Sequence, residues 1–207
     1  MKKILVILAG FMISCTSQAT NTESNTETGV ESEQVQIKKS SKKVIKKSIE
    51  REGDATLVTE YDQQGNIIKI TESYCSDCPA MEFTLKNGKI VSAKGGNKWY
   101  CEASVNKQKN TATYCLETSE TEVEFNEFGY KKEVSTAEDG ERTETYEYNK
   151  DGLLVKGVII SKDYFEGTSY KETITYTYDV MSQDWTKRTA TFNDGDKYVT
   201  TRTVEYW

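Results

Sequence analysis

The chain has 207 residues, a formal net charge of −6 and no histidine. The absence of histidine excludes Ser-His-Asp and Cys-His catalysis and most catalytic zinc sites, because each of these depends on an imidazole. The acidic balance argues against a nucleic-acid partner, since binding to a phosphate backbone requires a basic surface. The sequence also lacks the two glycine-rich phosphate-binding motifs, Gly-x-x-x-x-Gly-Lys-Ser/Thr and Gly-x-Gly-x-x-Gly. We therefore expect a protein without catalytic activity, cofactor or bound metal.

The first 14 residues are predicted to form a secretory signal peptide. Two lysines precede an apolar run over residues 4–13, which is too short to cross a bilayer, since a spanning helix needs about 20 residues. The residues before Cys15, Met12-Ile13-Ser14, resemble a bacterial lipobox. That resemblance implies cleavage before Cys15 and attachment of a diacylglycerol to its sulfur; two or three acyl chains such as palmitate then anchor a protein stably. The alternative is an ordinary secretory signal that is cut a few residues later.

Residues 15–41 are predicted to be a flexible linker from the lipid anchor. Thr16 stands where an aspartate would signal retention in the inner membrane of enteric bacteria, so we expect an outer-membrane location, on either face. Between Thr16 and Gln36 almost every residue is Thr, Ser, Asn, Glu or Gln. Such a segment cannot bury enough apolar surface to offset its ordering entropy. Its r.m.s. reach is roughly 25 to 30 Å.

Six lysines fall within Ile37–Lys47. One interpretation is a basic patch that adheres to anionic lipid, with about 1 kcal/mol per lysine near the surface. The other, which we favour, is the solvated edge of a first strand, because lysines protect sheet edges from unwanted pairing. We place the folded domain at residues 42–207.

Alternation of apolar and polar residues predicts β-strands in this domain. In 172–178, Ile174 and two tyrosines fall on one face and three threonines on the other, and 143–148 alternates in the same way. Thr, Tyr, Val and Ile, which favour strands, dominate the segments between turns. We predict an all-β fold, an antiparallel meander of repeated β-hairpins that forms an extended twisted sheet or an open half-barrel.

Turn signals recur after an aromatic or apolar residue, at 61–66, 85–88, 125–129 and 148–152. Each contains a glycine, which supplies the positive φ that tight hairpin turns require. The spacing of roughly 20 to 40 residues indicates internal repeats. A fifth copy at 178–185 has no glycine and predicts a looser loop.

Two of these segments resemble a known repeat. Tyr146-Glu147-Tyr148-Asn149-Lys150-Asp151-Gly152-Leu153-Leu154 is similar to the Tyr-x-Tyr-Asp-x-x-Gly-x-Leu core of the YD repeats in Rhs-type proteins, and Tyr61-Asp62-Gln63-Gln64-Gly65-Asn66-Ile67 is also similar. The segment from Trp185 to Trp207 resembles the end of small β-repeat lipoproteins of Bacteroidetes. The resemblance implies stacked β-hairpins and brings no catalytic residues.

Beyond Cys15 the chain has four cysteines: Cys75, Cys78, Cys101 and Cys115. An even number in an exported chain predicts disulfides. If a hairpin turn lies near residue 108, the last two cysteines face each other, and the first two then close on themselves. The rival pairing joins the first two to the last two. A redox role for Cys75 and Cys78 is disfavoured, because the sequence shows no helix N-terminus or positive charge beside them that would activate a thiolate. A zinc site is also disfavoured, because Cys101 and Cys115 are not separated by the two to four residues typical of zinc ligands.

The aromatic residues allow two interpretations. An aromatic face that stacks on sugar rings or on a partner would consist of Tyr146, Tyr148, Tyr176, Tyr178 and Trp185. Alternatively these side chains are the core of a sheet that is poor in leucine and phenylalanine, and we favour this alternative.

Three functions remain compatible with these features. The leading hypothesis is a lipid-anchored cell-envelope protein whose non-catalytic domain binds an unknown protein or glycan or has a structural role. The second is an envelope enzyme that uses a thiol pair or a carboxylate pair, the latter acting on glycans. The third is an inhibitor or immunity lipoprotein that captures a toxin by a sheet edge.

Overall fold

The computed structural model describes residues 43–75, 78–96, 101–116, 118–181 and 184–207. The predicted signal peptide, Cys15 and the linker lie outside the described residues. The described part of the chain is all-β, as predicted, and folds into antiparallel strands without a helix. The strands are β1 (Ile45–Glu52), β2 (Ala55–Tyr61), β3 (Ile67–Ser73), β4 (Met81–Lys86), β5 (Lys89–Lys94), β6 (Ser104–Asn106), β7 (Thr111–Leu116), β8 (Ser119–Asn126), β9 (Gly129–Ala137), β10 (Gly140–Tyr148), β11 (Leu154–Asp163), β12 (Thr168–Met181), β13 (Asp184–Phe192) and β14 (Lys197–Tyr206).

The fourteen strands form one sheet in the order β5-β4-β3-β2-β1-β14-β13-β12-β11-β10-β9-β8-β7-β6. The first and last strands therefore pair in the middle of the sheet, and the edges are β5 and β6. The sheet curls until β5 contacts β6, β7 and β8, which gives a nearly closed barrel. The prediction that the lysine-rich first strand forms an edge of the sheet is wrong, because β1 pairs with β2 on one side and with β14 on the other.

We call the line along which β5 meets β6, β7 and β8 the seam of the barrel. Asn110 joins the two edges of the sheet near one end of this seam. Its side chain accepts a hydrogen bond from Ile90 N at 2.8 Å and donates to Gly88 O at 3.0 Å and Phe125 O at 2.8 Å. Asn110 is 7% exposed and has a φ of 60°, a conformation that asparagine adopts more readily than most residues. One buried amide thus replaces the ladder hydrogen bonds that β5 lacks at this point.

Close backbone packing and a disulfide hold the other end of the seam. Gly95 and Gly96 have φ values of 104° and 73°. A Cβ added at Gly95 would overlap Ala80 O, and one added at Gly96 would lie 2.8 Å from Cys115 O. Cys115 is bonded to Cys101, and Cys75 is bonded to Cys78. This is the first of the two connectivities considered from the sequence.

The predicted glycine turns lie between strands, and two of them share one geometry. Asp62 Oδ1 accepts hydrogen bonds from the backbone N of Gln64 and Asn66 at 2.9 and 2.8 Å. Asn149 Oδ1 accepts from the corresponding nitrogens, Asp151 N and Leu153 N, both at 2.9 Å. An asparagine and an aspartate are therefore equivalent at this turn, since each needs only one acceptor oxygen there.

The fifth predicted turn differs from the expectation. The sequence predicted a looser loop across 178–185, but β12 continues to Met181 and β13 begins at Asp184. Ladder pairing reaches Met181 and Asp184 themselves, after a bulge between Asp179 and Val180. The bulge takes up the extra length of this copy, so the connection stays short.

The inner face of the sheet forms the core, and the outer face is hydrophilic. Buried side chains pack inside the barrel, including Phe83, Tyr114 and Tyr130, whose rings are 5.7 to 6.0 Å apart around Phe83. The outer face carries threonines and cross-strand ion pairs, namely Lys69–Glu82, Lys131–Glu124, Lys156–Glu147 and Lys162–Glu141, with N–O distances of 2.6 to 3.1 Å. The outer face is therefore suited to contact with water.

Candidate binding surfaces at the two ends of the barrel

Because every hairpin reverses the chain, the connections alternate between two ends of the barrel. The terminal end, as we call it, holds the start of β1, the end of β14 and the connections after the even-numbered strands up to β12. The opposite end holds the connections after the odd-numbered strands. Trp207 N donates to Val44 O at 3.0 Å, so both ends of the described chain meet at the terminal end.

The two ends carry opposite charge. We count the residues between strands and the strand residue on each side of them, within the described parts of the chain. The terminal end has six lysines (Lys43, Lys86, Lys89, Lys107, Lys109, Lys150) and four aspartates or glutamates (Asp62, Glu127, Asp151, Asp184). The opposite end has two lysines (Lys94, Lys197) and nine aspartates or glutamates (Glu52, Asp54, Glu102, Glu138, Asp139, Asp163, Glu166, Asp194, Asp196).

A groove of about 580 Å³ opens at the terminal end, between the turns that follow β4, β6 and β8. Its aromatic part is Phe128 and Tyr148, whose rings are 5.6 Å apart. The Tyr148 hydroxyl donates to Tyr130 O at 2.7 Å, which fixes the ring at the rim. The groove also contains three lysines and four amide side chains: Lys89, Lys109, Lys131, Asn87, Gln108, Asn110 and Asn126. Its polar lining therefore combines cationic and amide donors with the carboxylates of Glu124 and Glu127.

A cup of about 370 Å³ opens at the opposite end. One row of the inner face crosses five strands there, with Ser135 and Ser161 on either side of Arg142 and with Thr121 and Tyr170 beyond them. Thr121 lies under the rim and donates to Ser135 Oγ at 3.3 Å, while the other four residues line the cup. Tyr170 is 48% exposed. The cup is thus lined by hydroxyl groups, one guanidinium and one accessible aromatic ring, together with the carboxylates of Asp139, Glu141 and Asp163 and the ammonium group of Lys162.

Arg142 connects the cup to carboxyl groups deeper in the barrel. Its Nε donates to Glu144 Oε1 at 2.7 Å, and the Tyr146 hydroxyl donates to Glu144 Oε2 at 2.7 Å. Arg142 Nη2 is buried and has no hydrogen-bond partner among the described residues. Glu133 lies beside Glu144 across β9 and β10. Burial and the nearby Glu144 and Glu72 carboxylates raise the pKa of Glu133 well above its usual value, against the opposing effect of Arg142.

Three tyrosines hold a second carboxyl group in the core. The hydroxyls of Tyr74 and Tyr114 donate to Glu72 Oε1 at 2.7 and 3.1 Å, and that of Tyr130 donates to Oε2 at 2.7 Å. Burial raises the pKa of Glu72, and the three hydrogen bonds oppose this effect. Both oxygens of Glu72 thus accept hydrogen bonds, which indicates a structural role.

An arginine cluster lies inside the barrel, on strands β1, β13 and β14. Glu50 lies 3.9 Å from Arg188 Nη2 and 3.8 Å from Arg202 Nε, and Arg202 Nη1 lies 3.9 Å from Asp184 Oδ1. The guanidinium carbons of Arg188 and Arg202 are 5.6 and 4.9 Å from the centroid of the Trp185 ring, in cation–π geometry. Burial raises the pKa of Glu50 to about 8, although both arginines act in the opposite direction.

The predicted aromatic face lies on the inner wall of the barrel. Tyr146, Tyr176 and Trp185 are buried in the core, and Tyr148 and Tyr178 are half-buried against it. The Tyr178 hydroxyl donates to Leu154 O at 2.8 Å. The interpretation as an exposed aromatic face is therefore wrong, and the five rings belong to the core, which was the favoured alternative, because the period-two alternation points them inward. Two of them, Tyr146 and Tyr148, also line the groove at the terminal end.

Arg142, Ser135, Ser161 and the buried arginines were not singled out from the sequence. The chain contains four arginines among 27 basic residues, and Arg142, Arg188 and Arg202 project into the barrel. Arginine is favoured over lysine for buried ion pairs because its planar fork satisfies several acceptors. The rarity of arginine in a lysine-rich chain was the available signal. Among the described residues, no group of three or more Cys, Asp or Glu side chains is arranged to hold a metal ion.

The comparisons with known proteins give a distant structural likeness. No family model matches the chain, and no curated protein matches it. Among solved structures, the chain is similar to a porin-like protein from Bacteroides vulgatus ATCC 8482, with 9% sequence identity and a TM-score of 0.34, over 80% of this chain and 99% of that chain. A likeness at this level supports no inference about function. None of the described residues belongs to a helix that is long and apolar enough to span a bilayer.

Proposed function

We propose that the protein is a lipid-anchored component of the bacterial outer membrane whose barrel-like domain is a non-catalytic binding module. The anchor is Cys15, within the lipobox-like sequence, and residues 15–41 are its linker. The observation that carries the binding role is the position of the cup. Strand β1 begins at Ile45 on the terminal end, whereas the cup around Arg142 opens at the opposite end. A chain tethered at one end thus presents its cup away from the tether.

The lining of the cup supports a glycan as the ligand. Sugars combine hydroxyl groups, which donate and accept hydrogen bonds, with apolar C–H faces that pack on aromatic rings. Ser135, Ser161 and Thr168 supply hydroxyls, and Tyr170 supplies an accessible ring. Arg142 Nη2 is a donor without a partner in the described chain, and a ligand acceptor would satisfy it. The volume of about 370 Å³ lies in the usual range of small-molecule sites.

Titration calorimetry with a panel of soluble envelope and host oligosaccharides tests this role. We expect Tyr170→Ala to weaken binding at least tenfold, because the change removes the ring and leaves the barrel packing in place. The matched control is Phe128→Ala, which removes an aromatic ring from the groove at the other end and should leave the affinity unchanged. Equal losses in the two variants, or no binding to any glycan of the panel, would contradict the assignment of the cup.

The lipid anchor has a separate test. Protein isolated from the envelope should carry a diacylglycerol on Cys15 by intact mass, and metabolic palmitate labelling should disappear in Cys15→Ala. Palmitate label that persists in this variant would contradict the anchor. The attachment we propose is through lipid and not through the strands, because Lys–Glu pairs such as Lys69–Glu82 on the outer face would be strongly destabilising in hydrocarbon.

A carboxylate-based enzyme that acts on glycans is the second candidate. The observation in its favour is the pair Glu133 and Glu144 beneath the cup, where a raised pKa of Glu133 suits a general acid. Against it, Arg142 and Tyr146 already occupy both oxygens of Glu144. A hydrolysis assay on each glycan that binds decides the matter: turnover by the parent protein that is lost in Glu133→Gln would establish the enzyme.

The two remaining hypotheses are less favoured. A thiol-redox role requires accessible thiolates, and thiol labelling of protein isolated from the envelope should find Cys75 and Cys78 oxidised if the role is structural. Toxin capture by a sheet edge requires a free edge, but β5 and β6 face each other across the seam. A stoichiometric protein partner recovered in a pull-down would favour the immunity role instead.

A further inference from the structure

The two ends of the barrel carry opposite charge, although the charged residues of each end are scattered along the sequence. The lysines of the terminal end come from connections that are far apart in the chain, such as Lys43, Lys86 and Lys107, and the sheet brings them to one rim. All six are exposed. Among the described acidic groups of this end, only Asp184 pairs with an arginine, and this pair with Arg202 is buried inside the barrel. The surface of this end is therefore more basic than its composition alone suggests.

The chain enters the domain at this basic rim. Lys43 precedes β1, and the 42 residues before it include Cys15 and further lysines at 38, 39 and 42. Lys43 and Lys46 lie 5.7 and 5.2 Å from the ring centroids of Tyr206 and Trp207, which directs positive charge along the same side. A tether that starts here keeps this end nearer to a membrane than the other.

We propose that the terminal end is a docking surface for the anionic headgroups of a phospholipid bilayer. Exposed lysines gain attraction near such a surface within about a Debye length, roughly 8 to 10 Å. The nine carboxylates of the opposite end are repelled from the same surface, so the charge separation selects one orientation. Docking sets the domain upright on the bilayer with the cup outward. This inference rests on the proposed function only in that the tether brings the domain to the membrane.

The groove at the terminal end adds a local contact for a headgroup. Lys89, Lys109 and Lys131 line it together with amide donors. Lys131 is paired with Glu124 at 2.6 Å, whereas no described residue forms an ion pair with Lys89 or Lys109. A phosphate group at the rim would meet these two ammonium groups and the amides of Asn87 and Gln108.

Vesicle binding by the mature polypeptide tests the docking surface without the lipid anchor. The protein is the chain from residue 15 onward with Cys15→Ser, and the vesicles are phosphatidylcholine with or without 30% phosphatidylglycerol, as an experimental choice. We expect binding to the anionic vesicles at low salt, no binding to the neutral ones, and loss of binding at high salt. The variant Lys86→Gln/Lys89→Gln/Lys107→Gln/Lys109→Gln should bind at least a hundredfold more weakly, since each lysine contributes roughly fivefold.

The matched control is Lys94→Gln/Lys162→Gln/Lys171→Gln/Lys197→Gln, which changes the net charge equally at or near the opposite end and should bind within threefold of the parent. Equal losses in both variants would mean a general charge effect and overturn the proposal. Full retention by the first variant would assign binding to the lysines before residue 43 and also overturn it. Absence of acylation at Cys15 would leave these outcomes readable, because the assay uses no acylated protein.

Discussion

Replacement of Asn110 should loosen the seam of the barrel. The side chain makes three hydrogen bonds to the backbone of β5, of the turn after β4 and of β8, and all three are lost in Asn110→Gly. A typical intramolecular hydrogen bond contributes about 1 kcal/mol, and a buried donor left unsatisfied, here Ile90 N, costs about 1 to 3 kcal/mol. We therefore expect a loss of about 3 kcal/mol in the free energy of unfolding.

Glycine is the informative substitution because Asn110 has a φ of 60°. Alanine would add backbone strain of roughly 1 to 2 kcal/mol to the loss of hydrogen bonds, whereas glycine adopts this conformation without strain. Asn87 provides the matched control, since it has a φ of 53° in the adjacent turn, and its side chain forms no hydrogen bond with the described residues. Asn87→Gly should change the stability by less than about 0.5 kcal/mol.

Thermal unfolding under oxidising conditions measures the difference as a change in the melting temperature, Tm. In a domain of this size, about 3 kcal/mol corresponds to a fall in Tm of roughly 6 to 12 °C. The midpoint of Asn110→Gly should fall accordingly, with Asn110→Ala below it and Asn87→Gly near the parent protein. If Asn110→Gly were as stable as Asn87→Gly, the seam would not depend on this side chain.

Three further predictions concern the core and the seam. Because burial raises the pKa of Glu50 from 4.5 to about 8, its protonated form favours the folded state. Stability should therefore fall by roughly 4 kcal/mol as the pH rises from about 5 to 9, and Glu50→Gln should flatten this profile in unfolding titrations. Gly95→Ala should lower the Tm far more than Gly53→Ala, since only the first adds a backbone clash to a positive φ. Cys101→Ser/Cys115→Ser should lose about 3 kcal/mol in the free energy of unfolding, measured with denaturant, because the unfolded chain without the disulfide has a larger conformational entropy.

The strands were predictable because their signal is local. Apolar and polar residues alternate along β10 and β12, and the glycines at positions such as Gly65 and Gly152 mark turns by the positive φ they supply. The pairing of Cys101 with Cys115 was one of the two connectivities that the sequence left open, and it is the one favoured by the hairpin turn between them.

The closure of the sheet was not predictable from these patterns. β1 carries lysines as an edge strand would, yet it pairs with β14, whose residues are about 150 positions away. The cup depends on Ser135, Arg142 and Ser161 standing in one row, and the row exists only once the register of β9, β10 and β11 is fixed. Alternation indicates which side chains share a face, whereas their neighbours on adjacent strands depend on pairing over long distances.

The pairing of β1 with β14 also determines when this domain can finish folding. Arg51 pairs with Thr201, and the Thr200 hydroxyl donates to Glu52 across 148 positions of the sequence. During synthesis, which proceeds from the N-terminus, β1 keeps one unpaired side until the final strand emerges. Neighbouring hairpins can form as they appear, but the barrel closes in its last step. A chain truncated before Lys197 would leave the hydrogen-bonding groups of both β1 and β13 open to pairing with other chains.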